Sequence, residues 1–166
     1  TVSSKDVAVS NKYIDAISKT GVDAIKFQTH IAEEESTLDE PFRKNFNFKI
    51  KNRFDYWKSV EFSIDQWKSI KKYSEKKGLI FLTSVFSIKA AKMMKAIGIK
   101  AVKLGSGEFN SFDLMDEIIK LRLPILLSTG VATYKEINKV HSYLKKRGAK
   151  FGLFQCTSNY PLKLEK

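Results

Sequence analysis

The 166-residue chain is 43% hydrophobic and 12% aromatic, which is enough apolar material for one compact core and excludes a wholly disordered polypeptide. No apolar stretch approaches the roughly 20 residues that span a bilayer, and no secretory signal pattern opens the sequence. One cysteine, Cys156, excludes an internal disulfide, and with two histidines it is too small a set for a His/Cys metal site. We therefore expect a cytoplasmic protein.

The net charge of +12, from 30 basic and 18 acidic side chains, favours an anionic partner such as nucleic acid, a membrane surface or a phosphorylated substrate. The lysines are spread over nearly every amphipathic segment, and no stretch combines them with interleaved aromatic residues. Such dispersion is typical of solvated helix faces rather than of a nucleic-acid-binding stripe. We predict neither nucleic acid nor a membrane as partner.

Five short apolar runs predict five β-strands. Each run is four to eight residues long, apolar at its start and polar at its end, as in parallel strands that are buried on both faces. The runs are 23–29, 79–86, 101–106, 124–129 and 151–157.

Segments of helical period lie beside these runs. The first, residues 5–19, places Val9, Tyr13, Ala16 and Ile17 on one face. Four later helices carry start signals. Two begin with a capping box, formed by Ser63 with Gln66 and by Thr133 with Glu136, and Phe62 is expected to pack on Trp67 as a hydrophobic staple at the first of them. The other two are expected to begin at the cap Ser87 and near Ser111. The expected stop signals are Gly21, Gly78, Gly98 and Gly148.

The order of elements predicts an α/β fold. The last three strands begin at residues 101, 124 and 151, which is the spacing of repeating βα units. Right-handed crossovers leave an open doubly wound sheet or a closed β/α barrel, and a complete barrel takes about 250 residues. We therefore expect a single domain over 1–166 that is only part of such a fold. The long connection 31–61 is interpreted as a functional segment or a lid.

Polar side chains end every predicted strand, and this is the edge where β/α folds place their working residues. Lys26 and Lys103 lie inside otherwise apolar strands, where an ammonium is costly unless it is compensated. One lysine could simply pair with Glu108, but two of them ringed by hydroxyls predict a site for a phosphate or carboxylate. The hydroxyl residues are Thr83, Ser84, Ser106, Ser128, Thr129, Thr157 and Ser158.

Three other residues are weaker candidates. Cys156 follows an apolar run and is expected to be a buried apolar residue. His141 lies in a predicted helix and is expected at the surface. His30 is open between a site residue and a structural one, with the structural role favoured.

Five motifs follow one another along the chain: KFQT at 26–29, FLTSVF at 81–86, KLGSGE at 103–108, LSTG at 127–130 and QCTSNYP at 155–161. Each motif alone has little specificity, but their succession resembles the sialic acid synthase family, which comprises N-acetylneuraminate synthases and their legionaminate and pseudaminate relatives. The resemblance covers essentially the whole chain.

The resemblance implies a (β/α)8 barrel, of which this chain would hold about strands two to six. It implies a homodimeric enzyme that condenses phosphoenolpyruvate with an N-acyl amino sugar, releasing phosphate, with assistance from Mn or Mg. Phosphoenolpyruvate contacts would fall on Lys26, Ser84, Lys103, Ser106, Ser128 and Ser158, and sugar contacts on Gln28, Glu108 and Tyr160. A further sugar-contacting asparagine would be Asn45, Asn47 or Asn52.

The chain also departs from the family pattern. Ser84 and Ser158 stand where a threonine and, in some members, an asparagine are found. The family's catalytic glutamate, its two metal-binding histidines and its C-terminal antifreeze-like domain are not matched, so no catalytic residue or metal ligand is assigned and we expect these 166 residues alone to be inactive. Two rival interpretations are a related phosphoenolpyruvate-dependent 3-deoxy sugar acid synthase and a non-enzymatic basic α/β binding module.

Overall fold

The computed structural model describes residues 6–42, 50 and 52–159, and the chain divides into two compact units, 1–100 and 101–166. Both units are α/β, and the strands within each unit pair in parallel. In the described part of the chain, no helix is long and apolar enough to cross a membrane.

The first unit is built on one pair of parallel strands. Strand β1 pairs with β2 so that Ala24 lies opposite Ile80 and Thr29 opposite Val85, which confirms the first two predicted strands. The described elements are α1 (Val7–Ile17), β1 (Ala24–Thr29), α2 (Ala32–Glu35), α3 (Arg53–Val60), α4 (Ile64–Lys76), β2 (Ile80–Val85) and α5 (Ile88–Ile97).

Helix α4 begins as its sequence signals predict. The Ser63 hydroxyl accepts a hydrogen bond from the Gln66 backbone, and the Gln66 side chain accepts one from the Ser63 backbone. The Phe62 and Trp67 rings lie 4.9 Å apart at 64°, so the predicted staple is also confirmed. Trp67 is 1% exposed and packs edge-on against Phe81 of β2. The start of α4 therefore anchors this helix in the core of the first unit.

The buried face of α1 differs from the predicted one. Ser10 and Ile14 are its buried residues, whereas Tyr13 is 53% exposed. Both sets of residues obey the helical period, and packing against α4 chooses between them. The Tyr73 hydroxyl of α4 donates to the Asp15 carboxylate of α1 over 2.9 Å, which fixes the rotation of the helix.

The connection 31–61 contains two helices in its described part. Helix α3 begins because the Asn52 side chain accepts a hydrogen bond from the Asp55 backbone over 2.7 Å. Glu33 of α2 accepts a hydrogen bond from Lys58 of α3, and the two helices pack together. The candidate asparagines Asn45 and Asn47 lie outside the described residues.

The second unit holds three parallel strands in chain order. Strand β4 lies between the other two, with Leu127 opposite both Leu104 and Leu153. All three strands are shorter than predicted, β3 and β5 most of all, because the chain turns at Gly105 and leaves the sheet after Phe154. The elements are β3 (Val102–Leu104), a 3-10 turn (Ser106–Glu108), α6 (Phe112–Lys120), β4 (Ile125–Ser128), α7 (Tyr134–Lys146) and β5 (Phe151–Phe154).

Helix boundaries in the second unit agree with the sequence. Thr133 and Glu136 form the predicted capping box of α7, and Gly148 has a φ of 67° just after this helix. Helix α6 begins after Ser111, as predicted, although its side chain makes no capping bond. The core of this unit consists of strand and helix side chains that are fully or nearly fully buried: Val102, Leu104, Met115, Ile118, Ile125, Leu127, Val140 and Leu144.

Candidate anion-binding site

The β1–β2 pair brings together three of the predicted contact residues. Gln28 lies opposite Ser84 in the parallel register, and the Lys26 ammonium donates a hydrogen bond to the Ser84 hydroxyl over 3.4 Å. Ser84 is buried, whereas Lys26 and Gln28 are exposed. The first unit therefore has a cationic and an amide group beside a buried hydroxyl.

The ammonium of Lys26 is partly desolvated. Burial of this end lowers the pKa of Lys26 below its ordinary value of 10.5, although the residue as a whole is exposed because of its long stem. In the part of the chain that the structure describes, the partner of the ammonium is the neutral Ser84 hydroxyl, with no carboxylate within salt-bridge distance. An anionic ligand would stabilise the charged form that burial penalises.

A cavity of about 320 Å³ adjoins this group in the first unit. Its polar lining comes from Lys26, Gln28 and His30, and its apolar lining includes Phe27 and Trp67. The cavity is large enough for a small ligand, and its polar side contains two of the predicted contact residues.

His30 is held in the interior by aromatic and polar contacts. Its ring stacks on Trp57 at 4.0 Å and on Phe86 at 4.5 Å. Its Nδ1 lies 2.7 Å from Glu35, whose other carboxylate oxygen accepts the Ile31 backbone N–H. His30 is 7% exposed, and these contacts agree with the structural role that the sequence favoured, while the ring also lines the cavity.

In the second unit, Lys103 lies at the centre of a hydrogen-bonded cluster. Its ammonium donates to the Ser128 hydroxyl and to the Leu104 carbonyl, the latter over 2.8 Å. The Cys156 sulfur lies 3.3 Å from the same Ser128 oxygen and 3.5 Å from the Phe154 carbonyl, and its single hydrogen can serve only one of them. The ammonium also lies 5.5 Å from the centre of the Phe154 ring. Parallel pairing brings these residues together, because the carboxyl ends of β3, β4 and β5 meet at one edge.

Hydrogen-bond direction makes Ser128 a donor toward a ligand. A hydroxyl has one hydrogen and two lone pairs, and the Ser128 oxygen already accepts a bond from the Lys103 ammonium, which can only donate. Its own hydrogen is therefore left for a further acceptor. Ser128 is 7% exposed, so a ligand that supplies this acceptor would satisfy a nearly buried group.

Ser106 and Ser158 have opposite polarities. The Ser106 oxygen accepts the Gly130 backbone N–H over 3.0 Å, so its own hydrogen is left for a ligand. The Ser158 hydroxyl donates to the Gly130 carbonyl over 2.6 Å, so its hydrogen is already engaged. The second unit thus combines the positive charge of Lys103 with hydroxyl donors from Ser128 and Ser106, which is the polarity that an anion requires.

Gly130 is a site residue that the sequence did not single out. A Cβ at this position would lie 3.0 Å from Cys156 Cβ, 3.0 Å from Ser106 Oγ and 3.2 Å from Ser158 Oγ. The signal was present in the LSTG motif, but its meaning depends on three side chains from other segments. Close approach of a backbone to several side chains is a recurrent use of glycine.

The two remaining sugar-contact predictions have different outcomes. Glu108 lies in the 3-10 turn, where its carboxylate accepts a hydrogen bond from the Ser111 hydroxyl over 2.8 Å. Tyr160 lies outside the described residues. Asn52, one of the three candidate asparagines, caps α3 through its side-chain oxygen, which gives this residue a structural task.

Cys156 and His141 can now be compared with their predictions. Cys156 is half-buried and hydrogen-bonded to Ser128, so the prediction of an apolar buried environment is wrong, because the segment leaves the sheet before reaching it. His141 is exposed on α7 and lies edge-on to Phe151 at 5.5 Å, so its predicted surface position is confirmed.

The described residues do not fit a divalent metal ion. Within residues 6–42, 50 and 52–159, no three His, Cys, Asp or Glu side chains come together. His30 is already held by Glu35. We therefore assign no metal ligand to these residues and derive no reaction step through a metal.

A parallel α/β region with a donor cluster at the carboxyl ends of its strands is a small-molecule-binding part of an α/β enzyme class. The chain belongs to the NeuB family, whose sequence model matches residues 13–166. This match confirms the resemblance inferred from the five motifs.

Individual relatives agree with this membership. The chain is 27% identical over 163 residues to human N-acetylneuraminate-9-phosphate synthase, covering 96% of this chain and 45% of that protein. It is 26% identical over 162 residues to the N,N'-diacetyllegionaminic acid synthase of Campylobacter jejuni, covering 94% and 48%. The chain thus spans about half the length of the curated relatives it matches.

A solved structure shows the same relationship in three dimensions. The N-acetylneuraminic acid (sialic acid) synthetase of Leptospira borgpetersenii, crystallised in complex with citrate, superposes with a TM-score of 0.79 at 26% identity. The match covers 97% of this chain and 53% of that chain.

Proposed function

We propose that the protein containing this region condenses phosphoenolpyruvate with an N-acyl amino sugar to give a nonulosonic acid and inorganic phosphate. In this reaction C3 of phosphoenolpyruvate bonds to the aldehyde carbon of the open-chain sugar, water adds at C2, and the C2–O bond to phosphate breaks. Family membership and the names of the relatives support this reaction class. We also propose a (β/α)8 barrel and a homodimer for the complete protein, as the resemblance of the five motifs implies.

The observation that carries the proposal is the donor polarity of the second unit. The Ser106 oxygen accepts a hydrogen bond from Gly130 and the Ser128 oxygen accepts one from Lys103, which leaves the two hydroxyl hydrogens to donate beside the Lys103 charge. Phosphoenolpyruvate carries a carboxylate and a phosphate. At neutral pH these two groups accept hydrogen bonds and do not donate them. We propose that this cluster holds one of those two groups, since charge-assisted bonds from fixed donors bind and orient an anion.

The first unit supplies further contacts in this proposal. The partly desolvated Lys26 ammonium and the Ser84 hydroxyl would bind an anionic oxygen. Gln28 can both donate and accept through its amide, and Glu108 accepts through its carboxylate. These two groups, with Tyr160, are proposed to bind sugar hydroxyls or the N-acyl group.

The test is a thermal denaturation of the full chain with and without millimolar phosphoenolpyruvate. A ligand that binds the native form raises the melting temperature by mass action. We expect a rise in the wild type that is largely lost in Lys103→Ala, because the ammonium is the charged donor of the cluster. Lys135→Ala is the matched control, since Lys135 is exposed at the first turn of α7, and it should keep the rise.

Two outcomes would contradict the proposal. A cooperative transition that phosphoenolpyruvate leaves unchanged would exclude binding by this cluster. An equal loss in Lys103→Ala and Lys135→Ala would reduce the effect to net charge. The condensation itself is checked in the complete protein by phosphate release that requires both phosphoenolpyruvate and an N-acyl amino sugar.

A further inference from the structure

We propose that Gly130 is a positioning residue whose backbone sets the hydrogen-bond polarity of Ser106 in the anion-binding cluster. Its N–H bonds to the oxygen of Ser106 over 3.0 Å, and its carbonyl accepts the hydrogen of Ser158 over 2.6 Å. The inference rests on the proposed anion-binding function, and it assigns Ser158 a role that acts through Gly130 rather than through direct donation to the ligand.

The Gly130 N–H acts on Ser106. An isolated serine hydroxyl rotates and can present either its hydrogen or its lone pairs to a neighbour. The Gly130 N–H occupies a lone pair of Ser106, so the hydroxyl hydrogen remains for the ligand. A donor fixed in advance costs less ordering on binding than one that must reorient.

The Ser158 hydroxyl in turn acts on Gly130. The residue follows β4, and its carbonyl is held by Ser158 from the segment after β5. With the N–H and the carbonyl of Gly130 both hydrogen-bonded, the backbone on either side of its Cα is held, and this fixes the direction of the N–H toward Ser106. A side chain at position 130 would disturb this arrangement, because its Cβ would come within 3.0 Å of Ser106 Oγ and Cys156 Cβ.

Calorimetric titration of phosphoenolpyruvate into four forms of the full chain tests the inference: wild type, Gly130→Ala, Ser106→Ala and the double variant. We expect each single variant to bind about tenfold more weakly, since Ser106→Ala removes a hydrogen bond to a charged group and Gly130→Ala displaces the same hydroxyl. The double variant should bind no more weakly than Ser106→Ala, because Gly130 acts through Ser106. Losses that multiply in the double variant would overturn the inference.

A second glycine provides the matched control. A Cβ on Gly152 of β5 would meet only Leu126 Cδ2 at 3.8 Å, an ordinary contact. Gly152→Ala should therefore bind phosphoenolpyruvate as tightly as the wild type. If the wild type binds and Gly130→Ala binds equally well, the inference fails while the proposed function stands. If the wild type does not bind, the proposed function fails and the inference with it.

Ser158→Ala decides the question even if Gly130→Ala does not fold, because it adds no atoms. It should weaken binding when Ser106 is present and have no further effect in Ser106→Ala. A loss of the same size in both backgrounds would show that Ser158 contacts the ligand directly, which would overturn the role assigned to it.

Discussion

At the scale of single residues, folding places the Lys26 ammonium where burial disfavours its positive charge. Burial lowers the pKa of its ammonium, while the described partner is a neutral hydroxyl. A folded-state pKa below the ordinary value means that the charged form is penalised by folding. Such a group is retained at binding sites, where a ligand of opposite charge compensates it.

The pH dependence of this penalty can be predicted. It is fully present below the folded-state pKa of Lys26 and is relieved as pH rises through that pKa toward 10.5. We expect the urea midpoint of the wild type to rise relative to that of Lys26→Met as pH increases from 7 to 11. Urea unfolding of both proteins across this range checks the result, and a constant difference would show that Lys26 is not desolvated.

At the scale of elements, local sequence signals decide where helices begin, whereas long-range packing decides which face of a helix is buried. The capping boxes at Ser63 and Thr133 form as their four-residue patterns predict, because all partners lie within one turn of chain. The buried face of α1 could not be chosen in the same way, since Ile14 and Tyr13 fit the helical period equally well. Contact with α4 makes that choice, and α4 lies some 50 residues further along the chain.

Helix α7 offers a direct measure of the local signals. Removing the hydroxyl in Thr133→Ala should lower the free energy of unfolding by about 1 kcal/mol, because the first turn loses the cap that Thr133 provides. Thr133→Ser is the matched control and should retain most of the stability. Urea denaturation at pH 7 gives both values, and equal losses in the two variants would mean that the methyl group, rather than the cap, is responsible.

At the scale of the whole molecule, the dominant property is the net charge of +12. Like charges spread over a small protein destabilise the compact state through self-repulsion. Ion pairs such as Lys68–Asp65 and Lys120–Glu117 are exposed and contribute little. Net repulsion should therefore outweigh pair attraction.

The expected consequence is a melting temperature that rises between 10 and about 150 mM NaCl, since this salt range shortens the screening length to about 8 Å. Sodium chloride is used because phosphate or sulfate would bind at the proposed anion site. Differential scanning calorimetry at constant pH provides the measurement. A melting temperature that falls with salt would show that ion pairs dominate over repulsion.

The sequence by itself determined the strands, most helix boundaries and the family, because these depend on periodicity, capping patterns and short motifs that are contiguous in the chain. It also identified Lys26 and Lys103, since a lysine in an apolar strand is visible without a structure. It could not assign His30 with certainty, because the stacking partner Trp57 lies 27 residues away.

Only the tertiary structure decided the polarity of the candidate site. Whether a serine donates or accepts depends on which neighbour has already used its hydrogen or lone pairs, and those neighbours come from different strands. Nothing in the sequence distinguishes Ser106 from Ser158. In the structure, the Gly130 N–H donates to the Ser106 oxygen, whereas the Gly130 carbonyl accepts the hydrogen of Ser158. Hydrogen-bond direction is a property of the assembled strand ends, so no contiguous pattern of residues can encode it.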